Sequence, residues 1–368
     1  MSAISKVLIL TVAYGQGHIS AAAGIAEEYI SRGSKVMVAD PCDADSTGFY
    51  TLSKAYYRLC VRRAPWLWAM AYAQTDTADW SSKVTWPIIR TATNRLADLL
   101  ISWRPDVVVC TYPLYAYMMD HLSELRISDV PYAVVVTDSL EISRPWVKSR
   151  TNFLFVPDGY SASMLRERYG LPDSVVIESG FPVRKAFQQF VDKDEPSMSQ
   201  LNILYGAYLS TEATVRQIRS LFEAFPQAEI VLLAGDRYAK LFKRLYPHVM
   251  NGSLTLLSTS EQMPALFSKA HLYIGKTGAA TMFEAYASCV PVIANYALPG
   301  QEQGNLRLIL RDGVGCWAGS PGSLISSIQE LLQNNAAKWK VFRSNMRSLS
   351  HRTRGAACIA NVLEERLS

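Results

Sequence analysis

The sequence predicts an α/β protein of two doubly wound domains, and three observations carry that expectation. Short β-branched runs alternate with helical stretches almost from end to end. The strand-like runs are apolar throughout, as strands buried on both faces of a parallel sheet must be. The length of 368 residues suits about two domains of ordinary size.

In the first half, strands are expected at Val7–Val12, Lys35–Ala39, Asp106–Thr111, Tyr132–Thr137, Phe153–Val156 and Val175–Glu178. In the second half they are expected at Asn202–Tyr205, Glu229–Ala234, Leu254–Leu257, His271–Gly275, Val290–Ala294 and Val314–Trp317. An alanine-rich helix, Ile19–Ser31, follows the first of them. The polar, proline-containing stretch Val191–Gln200 reads as a linker. This gives an N-terminal domain over 1–195, a second over 196–345, and a C-terminal helix over 346–368 that returns to the first. Ligands of such sheets bind at the carboxyl ends of the strands, so a cleft between the domains is where chemistry is expected.

Composition narrows the class. With 49% hydrophobic and 19% charged residues, the chain is neither disordered nor collagenous. Cysteines at 42, 60, 110, 289, 316 and 358 form no CxxC pair, so neither a metal site nor a disulfide scaffold is indicated. Met1–Lys6 leads straight into the first strand without a signal-peptide pattern. The longest uncharged run, Ala285–Gln301, is broken by Pro291, Pro299 and Gly300 and cannot span a bilayer. A cytoplasmic protein is expected.

The net charge of +5 is concentrated. Phe49–Arg104 holds eight basic residues against three acidic ones, and five of the eight tryptophans. Arg62, Arg63, Trp66 and Trp68 lie together there, placed like interfacial anchors beside an anionic surface. Trp86–Arg104 has helical spacing, with Ile89, Ala92, Leu96, Leu99 and Trp103 on one side. Such a helix equally suits packing on a sheet with a solvated basic face.

Three motifs carry candidate chemistry. The first, Ala13–His18, leaves the first strand with Gly15 and Gly17 ahead of a helix, so backbone and ligand can approach closely. It lacks the third glycine of a dinucleotide fingerprint, and His18 is either a base over the cleft or a capping or core residue. The second is Thr137-Asp138 at a strand end, where the carboxylate orients a histidine, takes a proton from an acceptor hydroxyl, or caps the next segment. The third runs from Gly275 to Ala285 and on through Pro299-Gly300-Gln301-Glu302-Gln303-Gly304-Asn305. Lys276 and the small residues Thr277, Gly278, Ala279 and Ala280 open a helix whose amides suit a phosphate. Glu284 is placed to accept from two ribose hydroxyls, and Gln301, Glu302 and Asn305 to read sugar hydroxyls. It is not a Walker loop, because Lys276 precedes the glycine.

In their order and spacing these motifs, with Gly180-Phe181-Pro182-Val183-Arg184, resemble the diacylglycerol glycosyltransferases. That group comprises the processive diacylglycerol glucosyltransferases of bacteria and the plant monogalactosyldiacylglycerol synthases. More distantly the chain is similar to the N-acetylglucosaminyltransferase that completes the peptidoglycan lipid precursor. The resemblance implies the GT-B arrangement of two Rossmann-like domains, inversion at the sugar carbon, and no required metal or other cofactor. Through it, Glu284 corresponds to the ribose-binding glutamate, and Gln301 and Glu302 to the pair near the donor sugar. Met263 sits where the family's backbone pairs with uracil, Arg184 near the diphosphate, and Gly206 in the loop after the second domain's first strand. His18 corresponds to the histidine proposed as base. The chain departs from the family at Lys276–Ala279, where Lys-Pro-Gly-Gly is replaced. It departs again after Leu204, where only Gly206 of a glycine-rich loop remains. The third departure is Ser139–Pro145, which lacks the family's histidine and has an extra residue before Trp146, beside the acceptor.

The resulting expectation is a transferase moving a hexose from UDP-glucose or UDP-galactose to a lipid hydroxyl, most simply that of diacylglycerol. The enzyme would be peripheral on an anionic membrane surface at the inner face of the cell membrane, with no nucleic-acid partner. A polyprenyl-diphosphate sugar as acceptor, or a UDP-sugar-responsive binding protein without turnover, remain the alternatives. A UDP-GlcNAc 2-epimerase fits less well, since it needs no lipid-facing basic aromatic segment.

Overall fold

The computed structural model describes residues 4–13, 16–43, 55, 65–75, 87–188, 194–197, 199–259, 262–300 and 302–367. The chain divides into two compact units. One is Met1–Lys185 with Pro299–Gly304 and His351–Ser368; the other is Ala186–Leu298 with Asn305–Ser350.

The first unit is built on six parallel strands: β1 (Lys6–Leu10), β2 (Lys35–Ala39), β3 (Val107–Cys110), β4 (Tyr132–Val135), β5 (Leu154–Val156) and β6 (Val176–Glu178). Their order across the sheet is β2-β1-β3-β4-β5-β6. The unbroken apolar character of β1 has a direct cause. Leu8 and Leu10 pack with Val108, Cys110 and Val134 on one face, beneath helices Pro87–Trp103 and Pro113–Glu124. Val7 and Ile9 pack with Val109 and Val135 on the other, beneath helices Gln16–Ser31 and Gly355–Leu367. The chain steps from β1 to β2 on one side and then to β3 on the other. The carboxyl ends of β1 and β3 therefore flank a topological switch point.

Helix Gly355–Leu367 joins this unit through Ile359, Ala360 and Leu363 in the same core. Polar contacts reinforce the join: Arg32 donates to Glu364 at 2.8 Å and to Asn361 at 2.7 Å. The segments at the two crossings into the other unit are tied together as well. Phe181 N donates to Arg352 O at 2.7 Å, and Gly355 N to Phe181 O at 3.1 Å. Gly180 takes a positive φ of 86° there, and a Cβ on it would lie 2.8 Å from His351 O. The first unit ends at Lys185, not at residue 195. Lys185 Nζ pairs with Glu28 at 3.0 Å and its amide donates to Glu27 at 3.1 Å. The chain is thus pinned before the polar stretch that reads as a linker, and the second unit continues to Ser350 rather than 345.

Gly24 makes one backbone approach testable. A Cβ there would lie 2.1 Å from Pro182 O, an atom of the main chain that cannot rotate away. Gly24→Ala should therefore destabilise the first unit by about 1–3 kcal/mol, the usual cost of forcing extra volume into a packed contact. A lower urea midpoint at unchanged m-value is the expected readout; an unchanged midpoint would show that the helix can shift.

The second unit carries β7 (Asn202–Gly206), β8 (Glu229–Leu233), β9 (Leu254–Leu257), β10 (Leu272–Lys276), β11 (Val292–Tyr296) and β12 (Gly315–Trp317). All pairings are parallel, in the order β12-β11-β10-β7-β8-β9, so the switch point lies between β7 and β10. Leu201, Ile203, Ile230, Leu232, Ile274 and Ile293 fill its core with Trp339, whose Nε1 donates to His271 O at 2.9 Å. Across the sheet Tyr205 donates to Gln217, and Asn295 Nδ2 donates to Tyr205 Oη at 3.0 Å and to Gln217 at 2.9 Å. All twelve expected strands are present, with ends differing by a residue or two. Among the described residues no helix is long and apolar enough to cross a membrane.

Candidate functional site

Chemistry-bearing side chains gather at the carboxyl ends of the strands in each unit, at the two switch points. In the first unit the central group is His18. The helix after β1 begins at Gln16, so Gly17 and His18 lie in its first turn rather than in a loop ahead of it. Among the described residues, no atom outside the helix lies within 4 Å of where a Cβ on Gly17 would stand.

His18 Nδ1 lies 2.7 Å from the carbonyl oxygen of Thr111, just past β3, and 3.0 Å from Thr137 Oγ1, just past β4. A carbonyl can only accept, so the proton sits on Nδ1 and the lone pair on Nε2. The ring is half-buried, with Tyr112 edge-on at 5.2 Å between centroids and Trp146 tilted at 6.0 Å. Burial pushes its pKa down from 6.5 to about 4, against the opposing pull of the Thr111 hydrogen bond. His18 is therefore neutral at pH 7, with a basic nitrogen available.

Asp138 is buried at 7% exposure, next in the chain to Thr137. The contacts that orient the imidazole come from Thr111 and Thr137, two residues the sequence reading did not pick for that role. The signal was present in the strand-end threonines of Asp106–Thr111 and Tyr132–Thr137. Trp146, expected at an acceptor or membrane face, is instead 3% exposed inside the first unit's core, walling His18. The loop after Asp138 is fixed by Leu140 N donating to Ser161 Oγ at 2.9 Å and by Ser161 bonding Asp158. Gly304 packs on the same loop: a Cβ there would lie 2.1 Å from Ser139 O. Glu302, two residues earlier, is buried at 5% exposure and clusters with the first unit, as does half-buried Arg184. Arg184 thus lies in the first unit, as its position within 1–195 implies, whereas Glu302 falls outside the second unit, where it was expected. Gly15, Gln301, Arg62 and Arg63 lie outside the described residues, as does the side chain of Trp68. Trp66 is 63% exposed on helix Pro65–Thr75, beside exposed Leu67 and Met70. Helix Pro87–Trp103 buries Ala92, Leu96 and Leu100, so it packs on the sheet, and its outer face is mixed, with Arg90 and Asp98 exposed and Arg95 half-buried.

In the second unit the switch point is lined by the ends of β7 and β10. A register shift at Gly275/Lys276 ends the regular pairing of β10 with β11. Thr277 is fully buried; its amide donates to Tyr296 O at 3.1 Å and its carbonyl accepts from Asn305 Nδ2 at 2.9 Å. Asn305, itself fully buried, is thus a prop for the loop and not a reader of sugar hydroxyls. Gly278 caps helix Ala279–Ala287 in an extended conformation with no side-chain cap, and Ala279 and Ala280 form its first turn. Glu284 lies farther along this helix, buried at 7% exposure.

Tyr208, which the sequence reading passed over, stands where the glycine-rich loop would be. Its ring comes within 3.1 Å of a Cβ built on Gly206, and Lys276 Nζ lies 5.0 Å from its ring centroid, a cation–π distance. Met263 opens helix Met263–Lys269 and is half-buried. Among the described residues no three of His, Cys, Asp and Glu converge as metal ligands would.

Residues 18–183 match the family model of monogalactosyldiacylglycerol (MGDG) synthase. A processive diacylglycerol β-glucosyltransferase of Bacillus thuringiensis is 25% identical over 98% of this chain and 94% of its own length. That of Staphylococcus epidermidis is 27% identical over 69% of this chain, a match spanning 66% of the relative. Among solved structures, MurG of Acinetobacter baumannii superposes with a TM-score of 0.62 at 14% identity, covering 98% of this chain and 99% of that one. A UDP-GlcNAc 2-epimerase of Neisseria meningitidis gives 0.59 at 15%, covering 98% and 99%. The structural likenesses establish the two-unit Rossmann-like fold and no more, because transferase and epimerase fit it almost equally. The sequence matches discriminate: the chain is similar to the MGDG synthase family over residues 18–183 and to processive diacylglycerol β-glucosyltransferases over as much as 98% of its length.

Proposed function

We propose that the protein transfers a hexose from UDP-glucose or UDP-galactose to the hydroxyl of a membrane lipid, most simply diacylglycerol, with inversion and without a metal. The observation that carries this reading is His18, kept neutral by burial and oriented by Thr111 so that Nε2 is its basic nitrogen. As the acceptor oxygen bonds to the anomeric carbon, Nε2 takes the hydroxyl proton and the bond from that carbon to the diphosphate breaks. The charge on departing UDP falls to the amides of Gly278–Ala280 and to Lys276, with Arg184 as a further cation. Glu284 binds the ribose, Met263 backbone the uracil, and Glu302 with Gln301 the sugar. Incubating the protein with radiolabelled UDP-glucose or UDP-galactose and diacylglycerol should give labelled glycolipid. Conversion of UDP-GlcNAc to its 2-epimer, with no lipid product, would overturn the proposal.

Two pH effects follow from His18, with opposite practical consequences. The base works only when neutral, so kcat/KM should hold down to about pH 4, the pKa of the folded form, and fall below it. Stability should decline earlier. With the folded pKa below the unfolded 6.5, the unfolded chain binds more protons between those values, so acid favours unfolding from about pH 6.5 downward. Initial rates and thermal midpoints over pH 4–8 check both; a rate that falls with a midpoint near pH 6.5 would give the base another environment.

Under this reading the protein works peripherally at the inner face of the cell membrane. Exposed Trp66, Leu67 and Met70 on helix Pro65–Thr75 support docking there, close in sequence to Arg62 and Arg63. Replacing Arg62, Arg63, Trp66 and Trp68 together should weaken sedimentation with phosphatidylglycerol vesicles and spare UDP affinity. Equal sedimentation would remove this segment from the docking surface.

A further inference from the structure

The second unit carries an amphipathic surface that neither donor binding nor transfer uses. Helix Tyr238–Met250 (YAKLFKRLYPHVM) turns Leu241 and Leu245 into the core. On its outer side Tyr238, Tyr246 and Met250 are 39%, 48% and 62% exposed. Phe242 joins the two tyrosines: its ring stacks on Tyr238 at 6.1 Å and meets Tyr246 edge-on at 5.6 Å. The three rings recur at i, i+4 and i+8, so they form one stripe along the helix. Lys240, Lys243 and Arg244 are exposed on the same helix, which contains no acidic residue.

Phe242 itself is half-buried against the core, but a solvated helix face has no need of two exposed rings and an exposed methionine beside it, and a protein–protein core seldom concentrates lysines. Aromatic and methionine side chains bordered by lysines suit the boundary between headgroups and acyl chains. There the rings sit at headgroup depth and the ammonium groups reach the phosphates. The charge decides the lipid: three cations with no acid on the helix complement an anionic surface.

We propose that helix Tyr238–Met250 is a membrane-contact element of the second unit, lying flat on an anionic phospholipid surface. Tyr238, Tyr246 and Met250 enter the headgroup layer while Lys240, Lys243 and Arg244 meet lipid phosphates. The inference adds a contact to the lipid-directed reading above but is independent of its donor, base and acceptor assignments.

The test is lysine acetylation of the whole protein, read by mass spectrometry with and without vesicles. With phosphatidylglycerol vesicles, modification of Lys240 and Lys243 should slow at least threefold; with phosphatidylcholine vesicles or in high salt it should not. A Lys240→Glu/Lys243→Glu variant and, separately, Tyr246→Ser/Met250→Ser should each bind phosphatidylglycerol vesicles about tenfold more weakly, with unchanged melting temperature and UDP affinity. Equal acetylation rates while the protein sediments with the vesicles would overturn the proposal, since docking would then use another surface. So would protection that needs only higher protein concentration and no lipid, which would indicate a second copy on this face. Failure of glycosyl transfer with Lys240 and Lys243 still protected would overturn the catalytic reading and leave this one standing.

Discussion

His18→Ala should cut turnover about 10²–10⁴-fold, the usual cost of losing a positioned general base, while UDP affinity stays unchanged. The expectation rests on the tautomer. A ring whose Nδ1–H is committed to Thr111 O has one function left, acceptance at Nε2, and burial keeps that nitrogen free of a proton at pH 7. The residue stands in the first unit, whereas Lys276, Glu284 and the uncapped helix start at Gly278 belong to the second. Binding and chemistry should therefore separate. Single-turnover rates with UDP-hexose and dispersed lipid, beside calorimetric titration of UDP, measure the two independently. A variant that melts early yet turns over normally would make His18 a core residue, and Asp138→Asn would then be the next substitution to assay.

The contrast between Asp138 and Thr137 shows what the sequence could and could not convey. Strand positions were legible because a parallel sheet covered on both faces demands runs such as VLIL and VVVC, whose shortness and β-branched content set them apart from buried helices. His18 was legible because it follows two glycines at a first-strand exit. Its holders were not, since they come from β3 and β4, 93 and 119 residues away, and one of them is a backbone carbonyl that any residue could supply. The position at a strand end drew attention to the carboxylate, while the hydroxyl of Thr137 beside it lies 3.0 Å from the ring. Asn305 reversed its meaning for a related reason. A polar residue after a strand suggests a ligand reader until the fold buries it against Thr277. Tyr208 was masked by the pattern of glycines it interrupts.

Tyr208 also bears on how the second unit handles a diphosphate. A glycine-rich turn offers amides alone, whereas here the ring lies over Gly206 and holds Lys276 at cation–π distance. Such a pair contributes about 0.5–1 kcal/mol at an exposed site, too little to compete with a diphosphate for the lysine. The aromatic face thus keeps Lys276 near the switch point in the free protein without withholding it from the ligand.

Glu284→Ala should weaken UDP binding by roughly 10²-fold or more, because two ribose hydroxyls would lose a charged acceptor at about 1.5–3 kcal/mol each. The carboxylate is placed for it: helix Ala279–Ala287 starts directly after β10, at the switch point where the strand order reverses. The side chain is buried at 7% exposure, on a helix whose neighbouring residues Met282, Phe283 and Ala285 are also buried. A carboxylate in such surroundings must be held by partners, and losing it would perturb folding as well as binding. Glu284→Gln separates the two, since it keeps the shape and one acceptor oxygen but drops the charge. Its melting temperature should stay near that of the parent, with UDP affinity between parent and alanine variant. Uridine, which keeps the ribose and lacks the diphosphate, should lose affinity by the same factor as UDP. Affinity unchanged for both ligands in both variants would remove Glu284 from the donor site. A loss confined to UDP would move it from the ribose to the diphosphate.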